Sequence, residues 1–378
     1  MRLEEICTVF TDGDWIESKD QSDDGIRLVQ TGNIGEGIYL EKEARAKYIS
    51  EETFEKLKCT EIFPGDILVS RLPDPVGRAC IIPEKEERMI TAVDCTICRP
   101  NESIISKEYL CYFMRSSAYY KRLLGSVTGT TRKRISRKNL GNVELEVPSK
   151  ERQMDVVEQL DCLVKVIESR KQELQLLDNL IKARFVEMFG DIATGNYKYD
   201  TRKLGDVANV GSSHRVFTTE FVKKGIPFYR GTEIGELANG NKPAEPFYIS
   251  EEHYNRLVYN DTKPQVGDLL LPSICNKGQV WMVDTDEPFY YKDGRVLCIS
   301  PDREIFDTKY LECFMKAKTL VEYPKLGSGS TFAEFKIFLL KNIDVLIPPR
   351  ELQEQFSMFV KQVDKSKVVY QGYSQYIA

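Results

Sequence analysis

The places where this chain could do chemistry are few. It has two histidines, His214 and His253, and one close cysteine pair, Cys95 and Cys98, within VDCTICRP. A zinc site built on such a pair needs a second pair at similar spacing, and none follows. VDCTICRP also alternates as a strand does, which sends the two thiols to opposite faces. Buried free thiols are therefore the alternative to metal or redox chemistry, and no metal site is expected. General-base work would fall to carboxylates, and no acidic pair stands out.

The remaining concentration of ionic groups is basic. Between Ser106 and Asn142, nine cations (Lys107, Arg115, Lys121, Arg122, Arg132, Lys133, Arg134, Arg137 and Lys138) stand against Glu108 alone, a net of +8 in a chain of formal net charge −5. Five of them fall in the seven residues from Arg132 to Lys138, beside the Gly/Thr-rich GSVTGTT. Such a run is either a solvated face or a loop that grips phosphates. Total charge does not decide between them, because binding depends on where the charges lie.

Catalytic signatures are missing. The sequence has no GxxxxGK[ST] phosphate loop, no strand-following GxGxxG, no HExxH and no GxSxG. Nor does it have the NPP-aromatic motif expected of an amino-methyltransferase acting on a flipped base. GSVTGTT and GSGSTF lack the flanking strand and helix starts of a cofactor cradle. The expectation is a reader, not an enzyme.

The elements that must position these residues come in duplicate. YISEETFEKL at Tyr48 returns as YISEEHYNRL at Tyr248, with six of ten positions identical. At nearly the same offset GIRLVQTGNIGEG lies over GIPFYRGTEIGEL, PGDILVS over VGDLLLP, KEYLCYFMRS over TKYLECFMKA, and NVELEVPSKERQ over NIDVLIPPRELQ. A period near two hundred residues is too long for a solenoid, so whole domains are repeated. The two glycine-rich stretches occupy equivalent places, which implies a shared binding-loop role. Runs such as DILVS, ELEV, QVWMV and VLCIS read as strands. SKEYLCYFMRSSAYYKRLL places Leu110, Phe113, Met114 and Tyr120 at helical spacing, an apolar face for a core. The class is α+β.

Between the copies, Ser149 to Phe189 contains no Gly and no Pro. Steps of three and four give Val157, Leu160, Val164, Ile167, Lys171, Leu174, Asp178, Ile181, Phe185 and Met188, a coiled-coil seam with two polar breaks. Ser149 is the expected N-cap and Gly190 the stop. About 40 residues make a rod of roughly 60 Å, which cannot bury its seam alone. After Pro349, Leu352, Phe356, Phe359, Val363 and Tyr370 repeat the spacing, with Ser366 the one polar member, so the C-terminal stretch either pairs with the rod or packs on its own domain; Gly372 is expected to break it. The expected organisation is a first domain at 1–148, a central helix at 149–190, a second domain at 191–348 and a C-terminal helix at 349–378.

The apolar fraction of 42% and charged fraction of 29% are those of a globular protein. No apolar run reaches the ~20 residues of a membrane span, and the N-terminus reads as no signal peptide. A cytoplasmic location is expected.

The order of parts resembles the specificity subunit of type I restriction–modification systems. It is carried in each half by TGNIGEG or GTEIGEL, then GDIL or GDLLL, a YL..FM helix, TGTTRKRIS or GSTFAEFKI, and VPSKERQ or IPPRELQ leading into a long helix. The resemblance implies two target-recognition domains held apart by an antiparallel helix pair, each reading one half of a split sequence in double-stranded DNA. It also implies that the helices dock two methyltransferase subunits. Those partners would supply S-adenosylmethionine, and an accompanying restriction subunit would bring ATP with Mg. No cofactor is expected in this chain itself.

By position in the repeat, the expected DNA contacts are Gln30, Thr31, Asn33, Arg230, Thr232 and Glu233 after the first strand. Arg71, Arg78, Ser273, Asn276 and Lys277 follow the GDIL strand, and Thr130, Thr131, Arg132, Lys133, Arg134, Ser330 and Thr331 lie in the basic or Gly-rich loop. Arg, Asn and Gln can pair with base edges, whereas Lys and Thr more often hold phosphate. A self-sufficient DNA methyltransferase and a duplicated scaffold that does not bind DNA are the alternatives.

Overall fold

Ile67, Leu68, Val69 and Ser70 are four consecutive residues with no exposed surface, because both faces of their strand are covered. The computed structural model describes residues 1–129, 133–258, 263–326 and 333–374, with side chains through Lys367. The chain divides into two compact units, Met1–Glu168 and Ser169–Ala378.

In the first unit the strands are β1 (Cys7–Asp12), β2 (Ile26–Val29), β3 (Tyr48–Ile49), β4 (Glu61–Ile62), β5 (Ile67–Ser70), β6 (Ala79–Ile81), β7 (Met89–Thr91) and β8 (Cys95–Pro100). They form two sheets, ordered β1-β8-β5-β6 and β3-β2-β7-β4. β2 and β7 run parallel, and the other ladders are antiparallel. Alternation along β5 sends Ile67 and Val69 into one core, and Leu68 into a second core shared by both sheets. The helices are α1 (Glu51–Leu57), α2 (Lys107–Phe113), α3 (Ser117–Leu124) and α4 (Arg137–Gly141), followed by the first part of α5 (Lys150–Phe189).

The second unit repeats this plan. It contains β9 (Gly190–Asp191), β10 (Asn196–Tyr197), β11 (Thr201–Lys203), β12 (Ala208–Gly211), β13 (Ile226–Tyr229), β14 (Phe247–Ile249), β15 (Leu269–Pro272), β16 (Trp281–Met282), β17 (Tyr290–Tyr291), β18 (Val296–Pro301) and β19 (Asp344–Leu346). Its helices are α6 (Leu204–Val207), α7 (Gly231–Ala238), α8 (Glu251–Val258), α9 (Thr308–Glu322), α10 (Ile337–Lys341) and α11 (Arg350–Ser374). The order β12-β18-β15-β16 matches β1-β8-β5-β6, and β14-β13-β17 matches three strands of the other sheet. Leu269 and Leu271 again enter one core while Leu270 enters another.

The duplication extends to a buried polar joint. Gln153 donates to the carbonyls of Ile104 (2.9 Å) and Pro148 (3.0 Å) and accepts from Ser106 N–H (2.8 Å). Gln353 makes the same three bonds with Ile305 (3.0 Å), Pro348 (2.8 Å) and Asp307 (2.9 Å). Both glutamines are wholly buried at a helix entrance, where free peptide groups would otherwise lie unsatisfied.

Ser149 Oγ accepts from Arg152 N–H at 3.4 Å, as an N-cap should. Gly190, at φ +99°, ends α5; a Cβ there would lie 2.2 Å from the Asn196 carbonyl oxygen. Within the second unit α11 runs antiparallel to α5. Phe356 meets Phe185 and Phe189 edge-on at 5.4 and 5.5 Å, and Lys367 reaches Asp178 at 2.6 Å. It also packs on its own domain, through Lys309 to Asp364 at 3.2 Å. Both expected modes of packing operate there.

Four local expectations change. The stretch SKEYLCYFMRSSAYYKRLL is two helices, because Ser116 accepts from Tyr119 N–H (3.2 Å) and starts a new one. In the second unit Lys316 and Ala317 carry α9 straight through. ELEV is reduced to one bridge, Arg2 to Glu144, since its partner is only the first residues of the chain. QVWMV contributes only Trp281 and Met282 as strand. The last helix runs through Gly372 to Ser374. No helix among the described residues is long and apolar enough to cross a membrane.

Gln353→Ala leaves the buried Pro348 carbonyl and the half-buried Ile305 carbonyl and Asp307 N–H without their partner, and should cost roughly 2–4 kcal/mol. Urea denaturation of the full chain measures it; an unchanged midpoint would contradict the role of this joint.

Candidate nucleic-acid interface

In the first unit, β5 delivers Arg71 to the sheet's end. There Arg71 N–H donates to the Asp94 carbonyl (2.9 Å), and its own carbonyl accepts from Ile135 N–H (3.2 Å). The backbone after β5 is thus clamped between the 92–94 turn and the strip that follows the basic loop. Thr128 and Arg134, on either side of that loop, exchange backbone bonds at 2.8 and 2.9 Å. The Arg134 guanidinium lies 3.1 Å from the Asp94 carboxylate and is 46% exposed. Arg71 is buried, donating to the Val93 carbonyl, with its Nε 3.5 Å from Asp12. Burial pulls the Arg71 guanidinium below its ordinary value, with Asp12 opposing the shift.

Arg78 joins two of the expected loops. Its guanidinium donates to the carbonyls of Ile34 (2.7 Å), Thr31 (2.8 Å), Leu72 (2.9 Å) and Pro75 (3.2 Å). Asn33 is buried as well; its amide donates to Leu40 and Glu41 carbonyls, and its oxygen accepts from Gln30 N–H. Gly77, at φ +91°, leaves room for Leu123, which a Cβ would meet at 2.2 Å.

The second unit builds the corresponding edge with different groups. Ser273, next after β15, receives Phe335 N–H on its carbonyl (2.7 Å) and donates its N–H to Arg295 (3.0 Å), as Arg71 does with its neighbours. Its hydroxyl donates to the Gly294 carbonyl. Asn276 is buried and holds its own turn through Pro272, Gln279 and Gly278. Arg230 pairs with Glu233 at 2.5 Å and lies over the Phe247 ring. Burial alone would raise the Glu233 carboxyl, but hydrogen bonds from Arg230 hold it below the usual value.

The structure therefore brings the described residues of the expected loops of each unit to one end of its main sheet. It places Asn33, Arg71, Arg78, Glu233, Ser273 and Asn276 inside, where they shape those loops. Thr232, Lys277, Lys133 and Arg134 are exposed, while Gln30, Thr31 and Arg230 are half-buried. Thr130, Thr131, Arg132, Ser330 and Thr331 lie outside the described residues.

Sequence reasoning missed Trp15. It is 69% exposed on a loop tied to the same edge by Asp14 N–H to the Thr91 carbonyl (2.8 Å) and Val93 N–H to the Asp14 carbonyl (2.9 Å). A tryptophan set between Gly13–Asp14 and a Ser/Lys/Asp segment was the available signal. Arg215 occupies the corresponding position in the second unit, 3.9 Å from Asp293. Both side chains suit a nucleic-acid surface, Trp by stacking and Arg by charge.

Cys95 and Cys98 face opposite sides of β8, in separate cores. No cluster of metal-ligand type occurs among the described residues.

The sequence matches the family model of the type I restriction modification DNA specificity domain twice, over residues 1–179 and 196–369. The type I restriction enzyme MjaIX specificity subunit of Methanocaldococcus jannaschii is 22% identical over 349 residues, 86% of this chain and 76% of that protein. The HindI specificity subunit of Haemophilus influenzae is 26% identical over 130 residues, 34% of this chain and 28% of that protein. A solved structure concerned with assembly and conformational transition of the type I R-M system superposes with a TM-score of 0.59 at 16% identity, covering 99% of this chain and 92% of that one. The S subunit of a type I system from M. genitalium gives 0.53 at 12% identity, covering 99% and 91%. At these identities the structural likeness speaks to the fold alone.

Burial pushes the thiols of Cys80, Cys95 and Cys298 up to about 12. Because alkylation needs the thiolate, iodoacetamide at pH 8 should label exposed Cys162 and Cys275 and spare those three. The raised values make this part of the folded state's stability full below the free-thiol pKa of ~8.5 and lost as pH climbs toward 12. Peptide mapping before and after unfolding checks it; early labelling of Cys95 would contradict the buried placement.

Proposed function

The chain belongs to the type I restriction–modification DNA specificity family, and from that membership we propose how its two repeats divide the work. It is a DNA-recognition subunit that acts with other restriction–modification subunits, and it is not an enzyme. Each repeat reads one half of a bipartite target in double-stranded DNA. The observation that carries this reading is the repeated sheet, with the same joint after β5 and β15 holding each unit's loops at one edge. Two copies of a reading edge in one chain suit a target with two halves. Tethering makes the second contact intramolecular, so two modest affinities combine.

The recognition domains are residues 1–148 and 191–348, and the helical segments 149–190 and 349–378 set the gap between half-sites. For two domains to read one face of the duplex, that gap must approach a helical turn, ~34 Å. The same helices dock two methyltransferase subunits, which bind S-adenosylmethionine and methylate adenine; a translocating restriction subunit using ATP and Mg completes the cutting form. The complex works on cytoplasmic DNA. In each domain the buried members of the expected set hold the loops. Gln30, Thr31, Lys133, Arg134, Thr232 and Lys277 then contact DNA, along with the loop residues Thr130, Thr131, Arg132, Ser330 and Thr331.

The chain assembled with its methyltransferase subunits should give a footprint of two protected patches separated by an accessible gap. Lys133→Ala with Arg134→Ala should weaken the first patch by about tenfold or more in affinity, from two lost phosphate contacts. A single continuous patch, or a variant with wild-type protection, would contradict the division of labour.

A further inference from the structure

The two reading edges share a plan but not a charge. From Ser106 to Asn142 the net charge is +8, whereas the corresponding stretch from Asp307 to Asn342 has six lysines against four acids, a net of +2. The difference lies chiefly in the loop: Arg132, Lys133 and Arg134 in the first copy face no cation at all between Gly327 and Glu334 in the second.

Pairing widens the contrast. In the second unit Arg230 is held by Glu233 (2.5 Å), Arg295 by Glu334 (3.0 Å), and Arg215 lies 3.9 Å from Asp293. In the first, Arg71 at the same edge lies 3.5 Å from Asp12, but of the four described cations on the loop and α4 only Arg134 is paired, with Asp94; Lys133, Arg137 and Lys138 are exposed and have no carboxylate within 4 Å among the described residues. The short helix beside the loop differs in kind too. Arg137 and Lys138 on α4 are replaced on α10 by Ile337 and Phe338, which are 37% and 59% exposed. These border a hollow of about 530 Å³ whose lining includes Gly294, Leu297 and Phe335. Phe335 is the residue whose N–H joins the Ser273 carbonyl, so the apolar patch is continuous with the candidate DNA edge. Glu334, Lys336 and Lys341 also line this hollow, and Lys277 stands exposed in the loop after β15.

We propose that the two domains grip DNA by different physics: the first by phosphate neutralisation, the second mainly by hydrogen bonds and by apolar contact of Ile337 and Phe338 with deoxyribose and thymine methyl groups. This rests on the reading of the chain as a two-headed DNA-binding subunit. Phosphate contacts release counterions, whereas apolar contacts do not, so salt separates the two modes.

The test is the salt dependence of full-length chain binding to a short mixed-sequence duplex. Each lost phosphate contact should lower the slope of log affinity against log salt by about 0.9. Combined Lys133→Ala, Arg134→Ala, Arg137→Ala and Lys138→Ala should lower it by about 3. Combined Lys277→Ala, Lys336→Ala and Lys341→Ala should change it by less than about 1. Ile337→Arg with Phe338→Lys, which restores the first unit's pattern, should steepen it by about 2. Equal losses from the two alanine sets would overturn the division. An unchanged slope in the Ile337/Phe338 variant would remove that patch from the DNA edge and overturn the apolar mode. Wild-type chain that binds no duplex at any salt would instead sink the DNA reading itself. Matching thermal melts exclude misfolding, since every substituted side chain is exposed.

Discussion

A loop that presents a surface must hold a shape without a core of its own, and the buried guanidinium of Arg78 supplies that constraint in the first unit. Four carbonyls, from Thr31, Ile34, Leu72 and Pro75, converge on it. Irregular backbone leaves its carbonyls pointing inward, and a five-donor fork is the side chain best suited to collect them. The second unit solves the same problem with smaller parts, through Asn276, Ser273 and the Arg230–Glu233 pair. Loops so braced on a strand buried on both faces can carry exposed polar groups without losing register.

The same economy appears where each domain meets its helix. Gln153 and Gln353 spend every polar atom on the strand end, the helix start and a neighbouring loop. Beyond that joint, the apolar seam of α5 meets α11 through Phe185, Phe189 and Phe356 within the second unit. Conserving the frame while changing the loops lets one architecture present two different surfaces, one strongly cationic and one more apolar.

Much of this was legible in the sequence. The repeat announced itself because glycines, the strand run and the paired glutamines must recur wherever the frame recurs. The long helix was legible because forty residues without Gly or Pro leave the backbone little else to do. The break at Ser116 was not, since a serine in a helical pattern reads as surface until its hydroxyl is seen capping Tyr119. Arg71, Arg78 and Asn33 looked like surface contacts for a related reason: composition shows a polar residue in a loop, but not that the loop's own carbonyls have claimed it. Trp15 escaped because its significance is positional, and only the bonds of Asp14 to the 91–93 segment bring it to the candidate DNA edge.

If each repeat reads one half of a split target on behalf of a methyltransferase, the pattern of genomic methylation depends on this chain. Adenine-methylation sequencing of the host genome with this gene intact and deleted tests it most directly. On deletion, methylation should vanish from one bipartite motif whose two halves are separated by a fixed gap. Loss of methylation from a single continuous motif would contradict it, and so would an unchanged methylome in cells that express the gene together with its methyltransferase subunits.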